Sequence, residues 1–180
     1  MYTYKEYITW DDGIRREIID GIIYNMASPS TKHQDIITSI FTQISVFLGR
    51  NKRCKVFVAP LDVKLSFDKN KNDENIVQPD IFVVCDPNKI GKNAILGVPD
   101  FVVEVLSPST EKKDKETKFA LYEAAGVREY WIVDPEKSEL FAYSLIQGKY
   151  AYRGDSVERE VPVEVLHGLC IDMEEVFYES

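Results

Sequence analysis

The sequence predicts an α/β fold in which helices pack on a mixed β-sheet, and three observations carry that expectation. Residues Phe101–Val105 are apolar on both faces apart from Glu104, the pattern of a central strand covered on both sides. Ile36, Ile37, Ile40, Ile44, Phe47 and Leu48 recur at helical spacing, so their segment forms an amphipathic helix with one face against a sheet. Several short runs rich in β-branched residues surround these two segments, and internal repeats are absent. At 180 residues, 44% apolar and 29% charged, the chain is expected to form one domain over residues 1–180 with a substantial core.

The elements follow in order. Residues Tyr4–Trp10 read as a short helix. Arg15–Ile19 and Ile22–Met26 read as a hairpin, because Asp20-Gly21 is a two-residue turn that tolerates positive φ. Ser28-Pro29-Ser30-Thr31 breaks that pattern and offers a cap for the long helix, which Gly49 ends. Strands are expected at Lys55–Ala59, Val63–Phe67, Val77–Cys85 and Phe101–Leu106, with a polar loop over residues 68–74. A second helix is expected over Glu111–Ala125, stopped by Gly126. Glu129–Val133 is a buried strand closed by Asp134-Pro135, with Tyr130 and Trp131 in the core. Leu140–Leu145 and Lys149–Arg153 form a C-terminal hairpin, and Val157–Val165 adds an edge strand in which Pro162 is tolerated.

Composition narrows the function. No apolar run approaches the ~20 residues that span a bilayer, and no secretory pattern opens the chain, so a cytoplasmic protein is expected. Cys54, Cys85 and Cys170 are odd in number and widely spaced, which fits a reducing compartment. With only His33 and His167, a structural zinc site built from Cys and His is not expected. The net charge of −8 opposes nucleic-acid binding, yet it is concentrated: residues 154–180 hold eight acids and one base, leaving about −1 for the rest. Basic clusters stand at Arg50, Lys52, Arg53 and Lys55, and at Lys112, Lys113, Lys115 and Lys118.

The carboxylates are the most pointed feature. Glu104 is embedded among apolar residues, and an unpaired buried carboxylate is costly. Asp100 shares its strand face but lies roughly 13 Å away at ~3.3 Å per residue, too far to grip the same cation. Asp80, on a separate strand, can lie beside Glu104 because adjacent strands are only ~4.8 Å apart. Lys118 shares a helix face with Leu121, Tyr122 and Ala125, so its ammonium can reach a polar site from the packed face; an Asp114–Lys118 ion pair is the plainer alternative. Glu17 can add a third carboxylate or face a neighbouring base. His33 can act as a ligand or proton carrier, or simply cap its helix. Ser107 lacks the G-x-S-x-G turn, and no phosphate-binding glycine loop appears.

Taken together, Gln78-Pro79-Asp80, Pro99-Asp100 through Glu104 to Ser107-Pro108-Ser109-Thr110, Asp114 with Lys118, and Gly126 through Tyr130-Trp131 to Asp134-Pro135 resemble a large family of restriction-endonuclease-like proteins. That family is a branch of the PD-(D/E)XK nuclease superfamily. Arg16-Glu17 through Asp20-Gly21, and Ser28-Pro29 with His33, are similar to its N-terminal signature, so the resemblance spans nearly the whole chain. It implies a restriction-endonuclease-like core with N-terminal and C-terminal β-hairpins, and a Mg²⁺ or Mn²⁺ site for phosphodiester hydrolysis. Asp80 matches the Asp of the PD motif and Glu104 the acid of (D/E)XK, making them the implied metal ligands. Leu106 stands where the superfamily pattern has lysine, and Lys118 on the following helix is the matching residue. Glu17 and His33 match the upstream signature as further site residues.

The implied function is a Mg²⁺-dependent endonuclease acting on DNA. The alternative is a non-catalytic protein that keeps the fold and binds nucleic acid or another protein, which the acidic balance and Leu106 favour. A homodimer is expected through the aromatic hairpin around Phe141–Tyr152, since cutting two strands is easier with two sites.

Overall fold

The computed structural model describes residues 4–50, 53–65, 75–108, 110–154 and 159–178. After a short helix α1 (Tyr4–Tyr7), β1 (Arg16–Ile19) and β2 (Ile22–Asn25) form the expected hairpin. Its turn residues Asp20 and Gly21 take φ of 50° and 76°, as such a turn requires. Helix α2 (Thr31–Arg50) begins where Ser30 caps it: the Ser30 hydroxyl accepts from the His33 backbone N–H and its carbonyl from that of Gln34.

Two sheets build the fold, with a two-stranded ribbon beside them. The six-stranded sheet contains β3 (Lys55–Val58), β6 (Ile81–Val84), β8 (Phe101–Val105), β9 (Glu129–Asp134), β10 (Glu139–Ile146) and β11 (Lys149–Tyr152). Its order is β11-β10-β9-β8-β6-β3, and only β8 and β9 run parallel, so the sheet is mixed as expected. The five-stranded sheet is β2-β1-β5-β4-β7, where β4 is Asp62–Leu65, β5 is Asn75–Val77 and β7 is Ala94–Leu96. The ribbon pairs β12 (Glu160–Pro162) with β13 (Cys170–Asp172), and α4 (Met173–Val176) follows.

Alternation along the central strands assigns the two faces. Ile81, Val83, Phe101, Val103, Val105, Trp131 and Val133 pack against α2 and the ribbon. Phe82, Val84, Val102, Leu106, Tyr130 and Ile132 pack against the smaller sheet and α3 (Phe119–Ala125). Burial on both faces explains the unbroken apolar run of β8. Glu104 has the parity of Val102 and Leu106, so it points into the second layer, where it is only 2% exposed.

Several expectations are corrected. Val77–Cys85 is two strands, because Gln78-Pro79-Asp80 carries the chain from one sheet into the other; Pro79 has no N–H to continue a ladder. Helix 111–125 is not uniform: Lys113–Lys118 is a π-helical turn leading into α3. The Val157–Val165 segment does not edge the main sheet; its described part pairs with β13. Residues 68–74, the polar loop, lie outside the described residues. Cys54 and Cys85 are joined by a disulfide, which their number and spacing, read as fitting a reducing compartment, did not anticipate, whereas Cys170 is unpaired. The antiparallel register that puts Lys55 opposite Val84 places these cysteines opposite each other one step further on. No helix among the described residues is long and apolar enough to cross a membrane.

Candidate active site

The large sheet and the β5–β6 crossover set the site. Ile81 pairs with Val103, so Asp80 falls opposite Glu104 one step past the ladder's last pair. Asp80 continues the ladder with its side chain, Oδ2 accepting from the Val105 N–H at 2.8 Å. Glu17 arrives from the second sheet: β1 pairs with β5 through Ile18 and Ile76, turning Glu17 with Ile19 towards the large sheet. There its Oε1 accepts from the Gln78 N–H at 3.0 Å, tying the crossover to β1.

Lys118 reaches in from the helix. Its Nζ lies 2.8 Å from Glu104 Oε1, 2.8 Å from Glu17 Oε1 and 3.6 Å from Asp114 Oδ1. The expected Asp114–Lys118 pair and the expected reach of Lys118 to a polar site from the packed helix face therefore coexist on one ammonium. Tyr122, one turn on, donates its hydroxyl to Glu104 Oε1 at 2.8 Å. Lys113 also sits on Glu17, 2.6 Å from Oε2. The wider π-helical winding explains how Lys113 and Lys118, five residues apart, reach one carboxylate: an α-helix would turn them well apart. The basic cluster around residue 115 is thus partly an inward-facing one.

His33 stands at the N-terminal turn of α2. Its Nε2 is 2.9 Å from the Val105 carbonyl oxygen and 3.4 Å from Asp80 Oδ2. A carbonyl can only accept, so Nε2 carries a proton; buried Nδ1 has no hydrogen-bond partner among the described residues.

The site's electrostatics are dominated by an excess of acid. Glu17, Asp80, Glu104 and Asp114 face Lys113 and Lys118, four carboxylates against two ammoniums. Burial pushes the Glu104 carboxyl well above its usual range; Lys118 opposes this, while Asp80, Asp114 and Glu17 reinforce it. Asp114 is raised by burial too, against the pull of Lys118. Burial alone would raise Glu17, but the two lysines hold it below the ordinary value. Lys118 is the counterpart: burial favours its neutral form, yet Glu104 and the other acids raise it well above a free lysine. His33 is opposed by burial but raised by its bond to Asp80.

Among the described residues no three His, Cys, Asp or Glu side chains converge tightly enough to hold a metal by themselves. The donor set still suits a divalent cation: hard oxygens, more carboxylates than ammoniums, and a buried Asp114 Oδ1 that has Lys118 at 3.6 Å but no hydrogen-bond donor among the described residues. The site opens to a cleft of about 520 Å³ lined by His33, Asp80, Glu104, Asp114 and Lys118, among others. Asp100 lies outside it, accepting from the Cys85 N–H and Arg128, as a residue at the start of β8.

Sequence reasoning did not single out Lys113, Tyr122 or Asp114 as members of this cluster. Tyr122 and Asp114 were legible as the helical neighbours of Lys118 at i+4 and i−4. Lys113 was not, because its place depends on the π-helical turn.

The chain matches the Uma2 family, described as "Putative restriction endonuclease", over residues 4–174. It belongs to that family. Uncharacterized protein slr1290 of Synechocystis is 32% identical over 142 residues, 77% of this chain and 72% of its own length. A second Synechocystis protein, sll1609, also uncharacterized, is 25% identical over 139 residues, covering 74% and 75%. A crystal structure from Anabaena variabilis, titled a putative nuclease belonging to DUF820, superposes with a TM-score of 0.78. It covers 98% of each chain at 22% identity, a likeness of fold. The Uma2 chain described here therefore has a restriction-endonuclease-like α/β fold.

Proposed function

We propose that this Uma2 protein is a divalent-metal-dependent endonuclease that hydrolyses phosphodiester bonds in DNA. The observation that carries the reading is the register that sets Asp80 opposite Glu104, beside a cleft, with the Lys118 ammonium on Glu104. Asp80 and Glu104 would hold Mg²⁺ or Mn²⁺, and the ion would supply Lewis-acid polarisation of the phosphate and a water of lowered pKa.

The residues of the chain do the rest. Lys118, held protonated by its acid neighbours, is unsuited to accept a proton; it stabilises negative charge developing on the phosphate. Glu17 also holds that ammonium, at 2.8 Å, and Tyr122 orients the Glu104 carboxylate. His33 fixes the Val105 carbonyl and borders Asp80, where its raised affinity for a proton suits it to pass one at the cleft.

Purified protein is expected to cut plasmid DNA in Mg²⁺ or Mn²⁺ and Glu104→Ala is not. Equal cutting by both would assign the activity to contamination. A non-catalytic, partner-binding role is favoured by one observation, the engagement of Lys118 by three acids, and it predicts metal-independent binding without cutting. The reading includes a homodimer through the hairpin, where Phe141, Tyr143, Tyr150 and Tyr152 make tilted ring contacts and Ile146 and Tyr152 remain exposed. Light scattering that finds a monomer at micromolar concentration would remove the dimer.

A further inference from the structure

Four cationic side chains line the cleft: Arg15, Lys113, Lys118 and Lys137. Three are matched by acids. Lys113 and Lys118 sit on Glu17 and its neighbours, and Lys137 Nζ lies 3.3 Å from Asp134. Arg15 differs, since among the described residues it makes no ion pair. Its Nε and one Nη donate to Gln78 Oε1 at 3.1 and 3.0 Å, and Gln78 is neutral.

Gln78 is a firm mount. It is 6% exposed, its side-chain nitrogen donates to Asp62 Oδ1 at 2.8 Å, and its backbone N–H is bound by Glu17. The Asp62 bond fixes which end of the amide is nitrogen, so the oxygen must face the guanidinium. This arrangement orients Arg15 without cancelling its charge, and it uses two of the five N–H donors. Arg15 also extends the β1 hairpin, its carbonyl accepting from the Met26 N–H at 2.9 Å. Strand alternation then puts it on the face of Glu17, about 6.6 Å along the strand, beside the acid cluster rather than inside it.

We propose that Arg15, mounted on Gln78, grips a phosphate of the substrate strand that flanks the one presented to Asp80 and Glu104. The inference rests on the nuclease reading and names the part of the cleft that counters its acidity. A pre-oriented guanidinium matches two phosphate oxygens with paired N–H bonds, which lysine cannot reproduce.

The test is fluorescence anisotropy with a labelled duplex oligonucleotide in Mg²⁺, in a Glu104→Gln background that prevents cutting. Adding Arg15→Gln is expected to raise Kd roughly tenfold and to flatten the dependence of log Kd on log salt by about one charge. Arg15→Lys should restore the salt slope but only part of the affinity, an outcome that a merely structural role for Arg15 would not give. Parent binding with Kd and slope unmoved by Arg15→Gln overturns the role of Arg15 and leaves the nuclease reading standing. Failure of the Glu104→Gln parent and the wild type alike to bind DNA overturns both.

Discussion

Replacing Glu104 with Gln should leave the metal-free protein as stable as the wild type, or more so, while abolishing metal binding and cutting. Glutamine keeps an oxygen for the Lys118 ammonium and the Tyr122 hydroxyl, so the substitution isolates the charge. At 2.8 Å, the attraction of Glu104 to Lys118 is about 6 kcal/mol for an effective dielectric of about 20. Glu17 Oε1 is also 2.8 Å from that nitrogen, so the two carboxylate oxygens are separated by no more than twice that distance. Their repulsion is then at least about 3 kcal/mol on the same scale. Asp114, 3.6 Å from the ammonium, adds at least about 2.5 kcal/mol. The acids thus nearly cancel the lysine, leaving the desolvation of a fully buried carboxylate with little to offset it. Chemical denaturation in EDTA at neutral pH should find Glu104→Gln between unchanged and about 2 kcal/mol more stable. Millimolar Mg²⁺ should raise the wild-type melting temperature and not that of the variant. A metal-free Glu104→Gln protein that is less stable by more than about 2 kcal/mol would refute the reasoning, because the charge would then serve the fold rather than a cation.

Lys118→Met has the opposite sign: it leaves three buried acids on one another and should cost about 3–5 kcal/mol. Thermal melts should show a deficit at neutral pH that shrinks below about pH 5, as the carboxylates protonate. The raised Glu104 carboxyl means the folded state holds that proton more tightly than the unfolded chain. Its contribution is therefore present below the unfolded pKa and is lost as pH rises to the folded one. A cation competes for the same oxygens, so stabilisation by Mg²⁺ should grow with pH over that window and release protons, measurable by calorimetry in two buffers. Arg153→Met removes the cation 2.8 Å from buried Glu129 and should cost about 3 kcal/mol while DNA cutting persists. Thiol titration should count one reactive cysteine, Cys170, in the unreduced protein and three after reduction in denaturant.

Much of the fold was legible because local chemistry and burial agreed. The Asp20-Gly21 turn, the apolar stripe of α2, the doubly buried β8 and the Gly126 stop, at φ 91°, are each written in a few adjacent residues. What escaped were features that depend on partners far away. Val77–Cys85 reads as one apolar run, yet the two ends serve different sheets, and only the position of Pro79 hints at the break. β7 and β13 are three residues each, too short for periodicity to register. The disulfide follows from the register of β3 on β6, which spacing along the chain does not reveal. For the candidate site, the pairing of Asp80 with Glu104 was accessible from strand spacing, whereas the acid excess around Lys118 needed three elements at once.

The same geometry accounts for leucine at position 106. Just past β8, Leu106 shares the face of Glu104 but sits further along the chain, where it belongs to the apolar cluster of Val102, Leu121 and Ile132. An ammonium there would have to displace apolar packing to reach Glu104. From the overlying helix, Lys118 approaches Glu104 directly and meets Glu17 of the second sheet in the same step. That route ties the position of the lysine to three separate elements, β1, β8 and the π-helical turn. It also explains the π-helical turn itself: an α-helical register would keep Lys118 on its acids but turn Lys113 away from Glu17. Glu17 would then lose one of the two cations that hold it ionised, and with it the charge that restrains Lys118. The irregular helix and the placement of Lys118 are therefore coupled through Glu17, which both lysines reach.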